Sequence, residues 1–349
     1  MRTKHSQIFL FVPFVILFCF LFVSCSKKST KQDEPSPEPA WSQIVRDYDY
    51  LQRTFYYLGQ DELMNYGGHT HLIPYQNEFF LGDSIIDIKL FKSNLLTNNP
   101  TTPNLSPFGI AHVDPKNEDT LESYNEIPLF RRFEEINPDS YFVNRTQYWI
   151  QLYKSLQTND ILAAYYVIRR LDAKVDTVGY IKDSCSTSEG DTCMKLKLIK
   201  PETPKPKYFT WEYEWKNVYF LRAKNIAKEG FKLDVYKGPL NAGNIQVDKN
   251  TQDGTLYLQI FGLDQLDIGG NPQPDGRVDY RQVDFVSGYL IFPERYPFSP
   301  PPGVSYTGNP ADTLKERVNA IYNSNNLNDR REDSKYYIYV AIYTSKTAY

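Results

Sequence analysis

The chain has 349 residues, 39 Lys and Arg against 42 Asp and Glu, a formal charge of −3, and 15% aromatic residues including 28 Tyr. So mild a negative balance, with no long basic run, offers no electrostatic footprint for nucleic acid. The length allows two or three domains, and the aromatic content suits pleated surfaces and hence strands.

Arg2, Lys4 and His5 precede an almost unbroken apolar run over residues 8–23, and Ser24, Cys25 and a polar stretch follow. This positive, apolar, small-residue order is that of a secretory signal peptide covering residues 1–24. A spanning helix is the rival reading, because the run borders on the roughly 17–25 apolar residues that a bilayer crossing needs. Cys25 decides between them: it directly follows a small residue, as in a bacterial lipobox, although Phe22 stands where Leu is usual. Lipid attachment at Cys25 is therefore expected, with ordinary cleavage or a retained anchor as alternatives. The expected location is the cell envelope, as an outer-membrane lipoprotein facing the periplasm or the surface. Lys27 and Lys28 lie on the side that would cross, which argues against a stop-transfer orientation.

Residues 25–40, ending Pro35-Ser36-Pro37-Glu38-Pro39, form a polar, Pro-rich tether with nothing to build a core from. Structure is expected to begin near Trp41. Beyond it, residues 47–58, 85–91, 148–153, 161–168, 194–199, 211–221, 231–236, 256–261, 283–292 and 336–343 are rich in β-branched or aromatic side chains and read as strands. The best helix signal runs over residues 310–323, with Asn309 as cap, Pro310 in the first position, and Leu314, Val318 and Ile321 on one face. The expected class is mainly β, built of antiparallel β-sandwich-like units with a short helix near the C-terminus.

Four Cys occur. Cys19 leaves with the signal and Cys25 takes the lipid, so Cys185 and Cys193 remain as a pair. In an oxidising periplasm their Cys-x7-Cys spacing reads as a disulfide stapling a hairpin loop. A metal pair is the weaker alternative, since no His stands near to complete a shell.

An internal repeat emerges when the strands are aligned. Phe55-Tyr56-Tyr57-Leu58 recurs as Val218-Tyr219-Phe220-Leu221, and residues 86–92 recur as 232–237. Residues 129–133 stand where 259–263 do, and Tyr141-Phe142-Val143 precedes Tyr148-Trp149-Ile150 much as Val283-Asp284-Phe285 precedes Tyr289-Leu290-Ile291. Two related units are expected, residues 41–200 and 208–349, joined by a Pro- and Lys-rich connector. The plain alternative is that any two β domains share such alternation.

Several of these stretches carry a resemblance. Trp215-Lys216-Asn217-Val218-Tyr219, Glu229-Gly230-Phe231-Lys232-Leu233-Asp234-Val235-Tyr236 and Gln259-Ile260-Phe261-Gly262-Leu263-Asp264-Gln265-Leu266-Asp267 come first. Then follow Asn271-Pro272-Gln273-Pro274-Asp275-Gly276-Arg277-Val278-Asp279-Tyr280, Gly288-Tyr289-Leu290-Ile291-Phe292-Pro293-Glu294 and Pro297-Phe298. In that order they resemble the SprA family, the very large outer-membrane proteins of gliding motility and type IX secretion in Bacteroidota. Asn137-Pro138-Asp139-Ser140-Tyr141-Phe142-Val143-Asn144 and residues 160–166 look like the same family's repeated unit, so the resemblance covers about residues 130–349. It implies a partner among outer-membrane secretion or motility proteins. SprA-like proteins build a giant barrel, whose strands need about 9–11 residues each and must be many. This chain is too short for that, so the resemblance implies a stand-alone relative of the family's non-barrel modules, or a truncated gene.

For chemistry, Asn271, Gln273, Asp275 and Asp279 place oxygen ligands at alternate positions around Gly276, as in half of a calcium loop. Gln282 stands where a bidentate Glu is wanted, and a plain Asp/Gly/Pro turn between strands explains the same residues. His69 and His71 form a metal candidate without a third ligand, and His112 stands alone. Glu134-Glu135 and Glu332-Asp333 read as solvated faces. No Ser nucleophile elbow, phosphate loop or zinc-protease helix occurs, so no enzymatic chemistry is expected and no cofactor beyond that calcium. Trp149, Trp211 and Trp215 suit either a glycan platform or a sandwich core. The expectation is a non-enzymatic SprA-like envelope module; the alternatives are a surface carbohydrate-binding or adhesion protein and a gene fragment.

Overall fold

The computed structural model describes residues 38–58, 83–94, 106–116, 128–183, 192–238, 254–299 and 320–343. The fold is mainly β with several antiparallel sheets. The expected strands at 85–91, 161–168, 194–199, 231–236 and 336–343 form as β3 (Ser84–Ser93), β9 (Ile161–Arg169), β12 (Met194–Lys200), β14 (Phe231–Lys237) and β17 (Tyr336–Ile342). Each alternates or concentrates apolar residues over a strand's length, so the period-2 signal suffices to place it.

Two three-stranded sheets share one plan. In the first, β2 (Phe55–Tyr57) pairs with β8 (Trp149–Leu152), which pairs with β7 (Tyr141–Asn144). In the second, β13 (Val218–Phe220) pairs with β16 (Tyr289–Ile291), which pairs with β15 (Val283–Asp284). The two hairpin turns match atom for atom. Asn144 Oδ1 accepts from the N–H of Thr146 and Gln147, and Asp284 Oδ1 accepts from those of Val286 and Ser287. Each turn ends on a left-handed residue, Tyr148 at φ 56° and Gly288 at φ 73°, whose carbonyl accepts from Leu58 N and Leu221 N respectively. A single turn of 3-10 helix, Pro138–Ser140 or Tyr280–Gln282, precedes each hairpin.

The larger strands repeat as well. The order β12-β9-β3 in one sheet mirrors β1-β17-β14 in another, where β1 is Trp41–Arg46, and every one of these pairs is antiparallel. Thus β1, at the head of the first expected unit, hydrogen-bonds to the last strand of the second, whereas β12 pairs with β9 inside the first unit. Contacts between the small sheets are also reciprocal. Trp215 N donates to Phe55 O and Tyr57 N to Tyr213 O, while Leu51 N donates to Val218 O. Between them lies an aromatic cluster in which Phe55 stacks on Trp215 at 5.4 Å and Trp149 meets Trp215 at 5.1 Å. The first large sheet also extends outward through β4 (Phe108–His112), parallel to β12, then β5 (Leu129–Arg132), and at its other edge through β6 (Glu134–Glu135).

Four expected strands fold otherwise. Residues 256–261 become a short helix, α1 (Tyr257–Ile260), closed by Gly262 at φ 74° with Leu263 N donating to Leu258 O. Their apolar run has no period that separates strand from helix, and the left-handed glycine selects the helix end. For the same reason the alignment of 129–133 with 259–263 pairs a strand with a helical turn. Residues 47–58 break at Asp47, whose buried carboxylate accepts from Ser334 Oγ and from the N–H of Lys335 and Tyr336. Residues 211–221 begin as a 3-10 turn, Phe209–Glu212, and become extended only at β13. Residues 283–292 fold as the hairpin β15–β16. Of the expected helix at 310–323, residues 310–319 lie outside the described residues and Ile321–Asn323 is a 3-10 turn. Helix α2 (Leu327–Asp333) follows instead, capped by Asn326, whose side chain accepts from Asn328 N at 2.9 Å.

Candidate functional site

The site is built on the loop that joins α1 to the second hairpin. Leu263 is buried at its start, and residues 268–277 are exposed without a break. Three aspartates fix this loop by accepting backbone N–H groups. Asp264, 1% exposed, accepts from Asp275 N at 2.9 Å, Gly276 N at 3.0 Å and Gln259 Nε2 at 3.1 Å. Asp279 accepts from Leu266 N at 3.1 Å and Gln265 N at 3.3 Å, and lies 3.5 Å from Arg281 Nε. Burial pushes its carboxyl above the ordinary range, against the lowering pull of those N–H groups and of Arg281. Asp267 accepts from Asn271 N and Nδ2, both at 2.8 Å, and these bonds hold its carboxyl below the ordinary range. Charge-assisted bonds of this kind are about twice as strong as neutral ones, so the loop is a fixed shape.

Two adjoining cavities flank it. One, of about 250 Å³, lies under the exposed Ile268 and is walled by Leu266, Arg277, Val278 and Tyr280. The other, of about 510 Å³, lies between the loop at Asp275, Gly276 and Arg277 and the start of β14 at Phe231, Lys232 and Leu233. The larger falls within the usual range of ligand sites, about 300–1,000 Å³. Arg277 lines both, and its guanidinium has no hydrogen-bond or ion-pair partner among the described residues.

The four positions read as calcium ligands all lie on this loop. Asp275 Oδ1 accepts from Arg277 N, and Asp279 is turned inward onto Gln265 and Leu266. Asn271 is bound to Asp267, and Gln273 N donates to Asn271 O. A cation here would have to displace N–H donors already in place. Among the described residues, no three His, Cys, Asp or Glu gather as a metal group.

The remaining candidates are scattered. Cys25, Cys185, His69 and His71 lie outside the described residues, so the lipid site and the expected staple have no described geometry; Cys193 is buried. His112 is 4% exposed, and burial with nearby Lys195 lowers its pKa. Glu134 and Glu135 are exposed, as is Glu332 at the end of α2. Trp149, Trp211 and Trp215 are buried, which places them in the core and off any surface platform.

Sequence reading missed the bracing role of Asp264, a lone acid directly behind an apolar run closed by glycine. It also missed Lys216, 1% exposed, whose Nζ donates to Trp211 O and Glu214 O and sits 4.5 Å from the Trp211 ring. No helix of the described residues is long and apolar enough to cross a membrane. No protein-family model matches the chain, and no curated protein matches it.

Proposed function

We propose that this chain is a non-enzymatic cell-envelope lipoprotein, held by lipid at Cys25 and a Pro-rich tether, that docks as an SprA-like module onto outer-membrane secretion or motility proteins. The observation that carries this reading is the loop over residues 263–280. The stretch richest in SprA-like residues is braced by Asp264, Asp267 and Asp279, yet presents residues 268–277 to solvent. A loop held rigid while fully exposed loses little entropy on binding, and such loops on a fixed scaffold serve recognition. Ile268, 88% exposed at its tip, is a large apolar side chain placed for a partner rather than for the core.

The test is affinity purification of the tagged full-length protein from cross-linked cells. Secretion or motility components of the outer membrane are expected to co-purify, and to be lost when Ile268→Asp and Arg277→Glu are combined. Repeated recovery without any such component sinks the docking role. Membrane fractionation of Cys25→Ala tests the anchor separately, with release into the soluble fraction expected.

A further inference from the structure

The two repeats differ at one edge. Leu90, Ala164 and Lys197 lie in one row across the sheet of the first repeat, and Val235, Ile338 and Val45 lie in the matching row of the second. Strand β1 therefore holds the place of β12, with residues 42–45 standing where 194–197 stand. In the first repeat β4 pairs in parallel with those four residues of β12. In the second, β1 is the last strand of its sheet, and no strand among the described residues pairs with its outer edge.

The main chain of that edge is open. Asp47 N donates to Tyr336 O, so the bonds of β1 to β17 fall on odd-numbered residues of β1. The N–H and C=O groups of Ser42 and Ile44 point the other way, and they have no hydrogen-bond partner among the described residues. The open stretch closes at Arg46, whose N–H and C=O both bond to Asp49, at 3.3 and 2.9 Å. Ser42 is exposed and Ile44 half-buried.

Sheet edges left to solvent are normally blunted by charges, prolines or bulges. The other edges of these two sheets follow that rule: β5 ends in Arg131 and Arg132, β6 is Glu134-Glu135, and β14 carries Lys232, Asp234 and Lys237. In contrast, β1 has no proline and no charge before Arg46, and its register with β17 is unbroken over all 6 residues. On the face away from the core, Ile44 and Tyr339 stand where Leu196 and Tyr165 stand in the first repeat. There Ala111 of β4 and the following Val113 pack against Leu196 in one apolar cluster.

We infer that the outer edge of β1 is a docking slot for an extended, uncharged, apolar segment of a partner protein, which adds in parallel to β1 as β4 adds to β12. Main-chain bonds to Ser42 and Ile44 supply register, and Ile44 and Tyr339 supply the apolar contact. A charged side chain in the middle of that segment would meet no opposite charge on residues 41–45. The inference deepens the docking reading and rests on it.

The probe is a blocked peptide with the sequence of residues 107–113, added to the purified full-length protein in detergent, with hydrogen exchange read residue by residue by mass spectrometry. In the free protein the amides of 42 and 44 are expected to exchange fast beside slow ones at 43 and 45. Saturating peptide is expected to slow 42 and 44 about tenfold or more, and to leave segment 229–238 unchanged. Ile44→Pro removes an outward N–H and no bond to β17, so it is expected to keep the fold and to weaken peptide binding about tenfold or more. A peptide with Ala111→Glu, which needs no altered protein, is expected to lose binding to the same degree. Slow exchange at 42 and 44 in the free protein, protection confined to 194–197 by exchange with β4, or equal binding of the Ala111→Glu peptide overturns the slot. Slow exchange at both amides together with a dimer by light scattering would assign the edge to a second copy of the chain. Protection by the peptide without co-purification of envelope proteins leaves the slot standing and removes the secretion reading. Co-purification that survives Ile44→Pro, with no protection by the peptide, removes the slot and leaves that reading.

Discussion

Replacing Asp264 by Ala removes one carboxylate and unties both ends of the exposed loop at once. Its two backbone bonds, at 2.9 and 3.0 Å, and the Gln259 bond at 3.1 Å all end on that side chain. A hydrogen bond to a charged group contributes about 1.5–3 kcal/mol, but Asp275 and Gly276 are exposed and their freed N–H groups can bond to water. The expected loss is therefore that of one such bond plus the small cavity left by the side chain, about 2–3 kcal/mol. Urea unfolding reads the global part, and hydrogen exchange over residues 264–280 reads the local part. Asp264→Asn is expected to fall between wild type and Ala, since it keeps one acceptor oxygen. Asp267, half-buried and bonded to Asn271 within the loop itself, is the control: Asp267→Ala should leave the unfolding midpoint nearly unmoved. A change under about 0.5 kcal/mol for Asp264→Ala, with amide protection of 275 and 276 intact, would refute the bracing role.

Gly288→Ala is expected to cost about 3 kcal/mol or more, because φ is 73° and a Cβ would collide with the Ala223 carbonyl oxygen; Gly254→Ala, at φ 88° with nothing within 4 Å, should cost only about 1 kcal/mol. Thermal melts of the two variants check the contrast, and equal shifts would contradict it. Burial pushes Lys216 and Lys200 down to about 8 from the ordinary 10.5, so between those values the unfolded chain binds more protons than the native one. Stability should therefore rise with pH from about 8 until near 10, where buried tyrosines such as Tyr57, raised by burial, begin to reverse the trend. Lys216→Met should roughly halve that slope in urea midpoints taken across the window, and an unchanged slope would show that Lys216 is not the group responsible.

Much of the fold was readable because five strands carry their own period and need no neighbour to identify them. The hairpins were not readable as such, since residues 283–292 read as one strand; only the likeness of residue types between 141–150 and 283–291 pointed to their common plan. What escaped depends on partners far along the chain. Structure is expected from Trp41, but Trp41–Arg46 carries no strand period of its own, and it is a strand because β17 lies beside it. Residues 256–261 are apolar on every side, so only Gly262 tells helix from strand. At the site, the turn chemistry of 271–279 was plain, but whether an Asp faces a cation, solvent or its own backbone depends on which N–H groups the fold brings to it. Asp264 and Asp279 face backbone, and that could be known only once α1 and the loop were placed together.

The pairing of β1 with β17 has a consequence for any attempt to divide the molecule. The connector at 200–207 is the natural cut by composition, yet the fragment 208–349 lacks β1, and β17 then has a partner on one side only. Val45 of β1 belongs to the same core cluster as Leu233, Ile338 and Val340, so its loss uncovers that cluster. The other fragment keeps Phe55, Tyr57 and Trp149 but loses Trp215, Val218 and Ile291, the opposite half of the aromatic cluster. Each stacked aromatic pair there contributes about 0.5–1.5 kcal/mol beyond its buried area, a sizeable share of a stability that for a domain totals about 5–15 kcal/mol. Neither fragment should therefore fold alone, whereas fragments 38–207 and 208–349 expressed together should associate and recover strand content by circular dichroism. A cooperative thermal transition in 208–349 by itself would show that β1 is dispensable and that the second repeat is an independent domain.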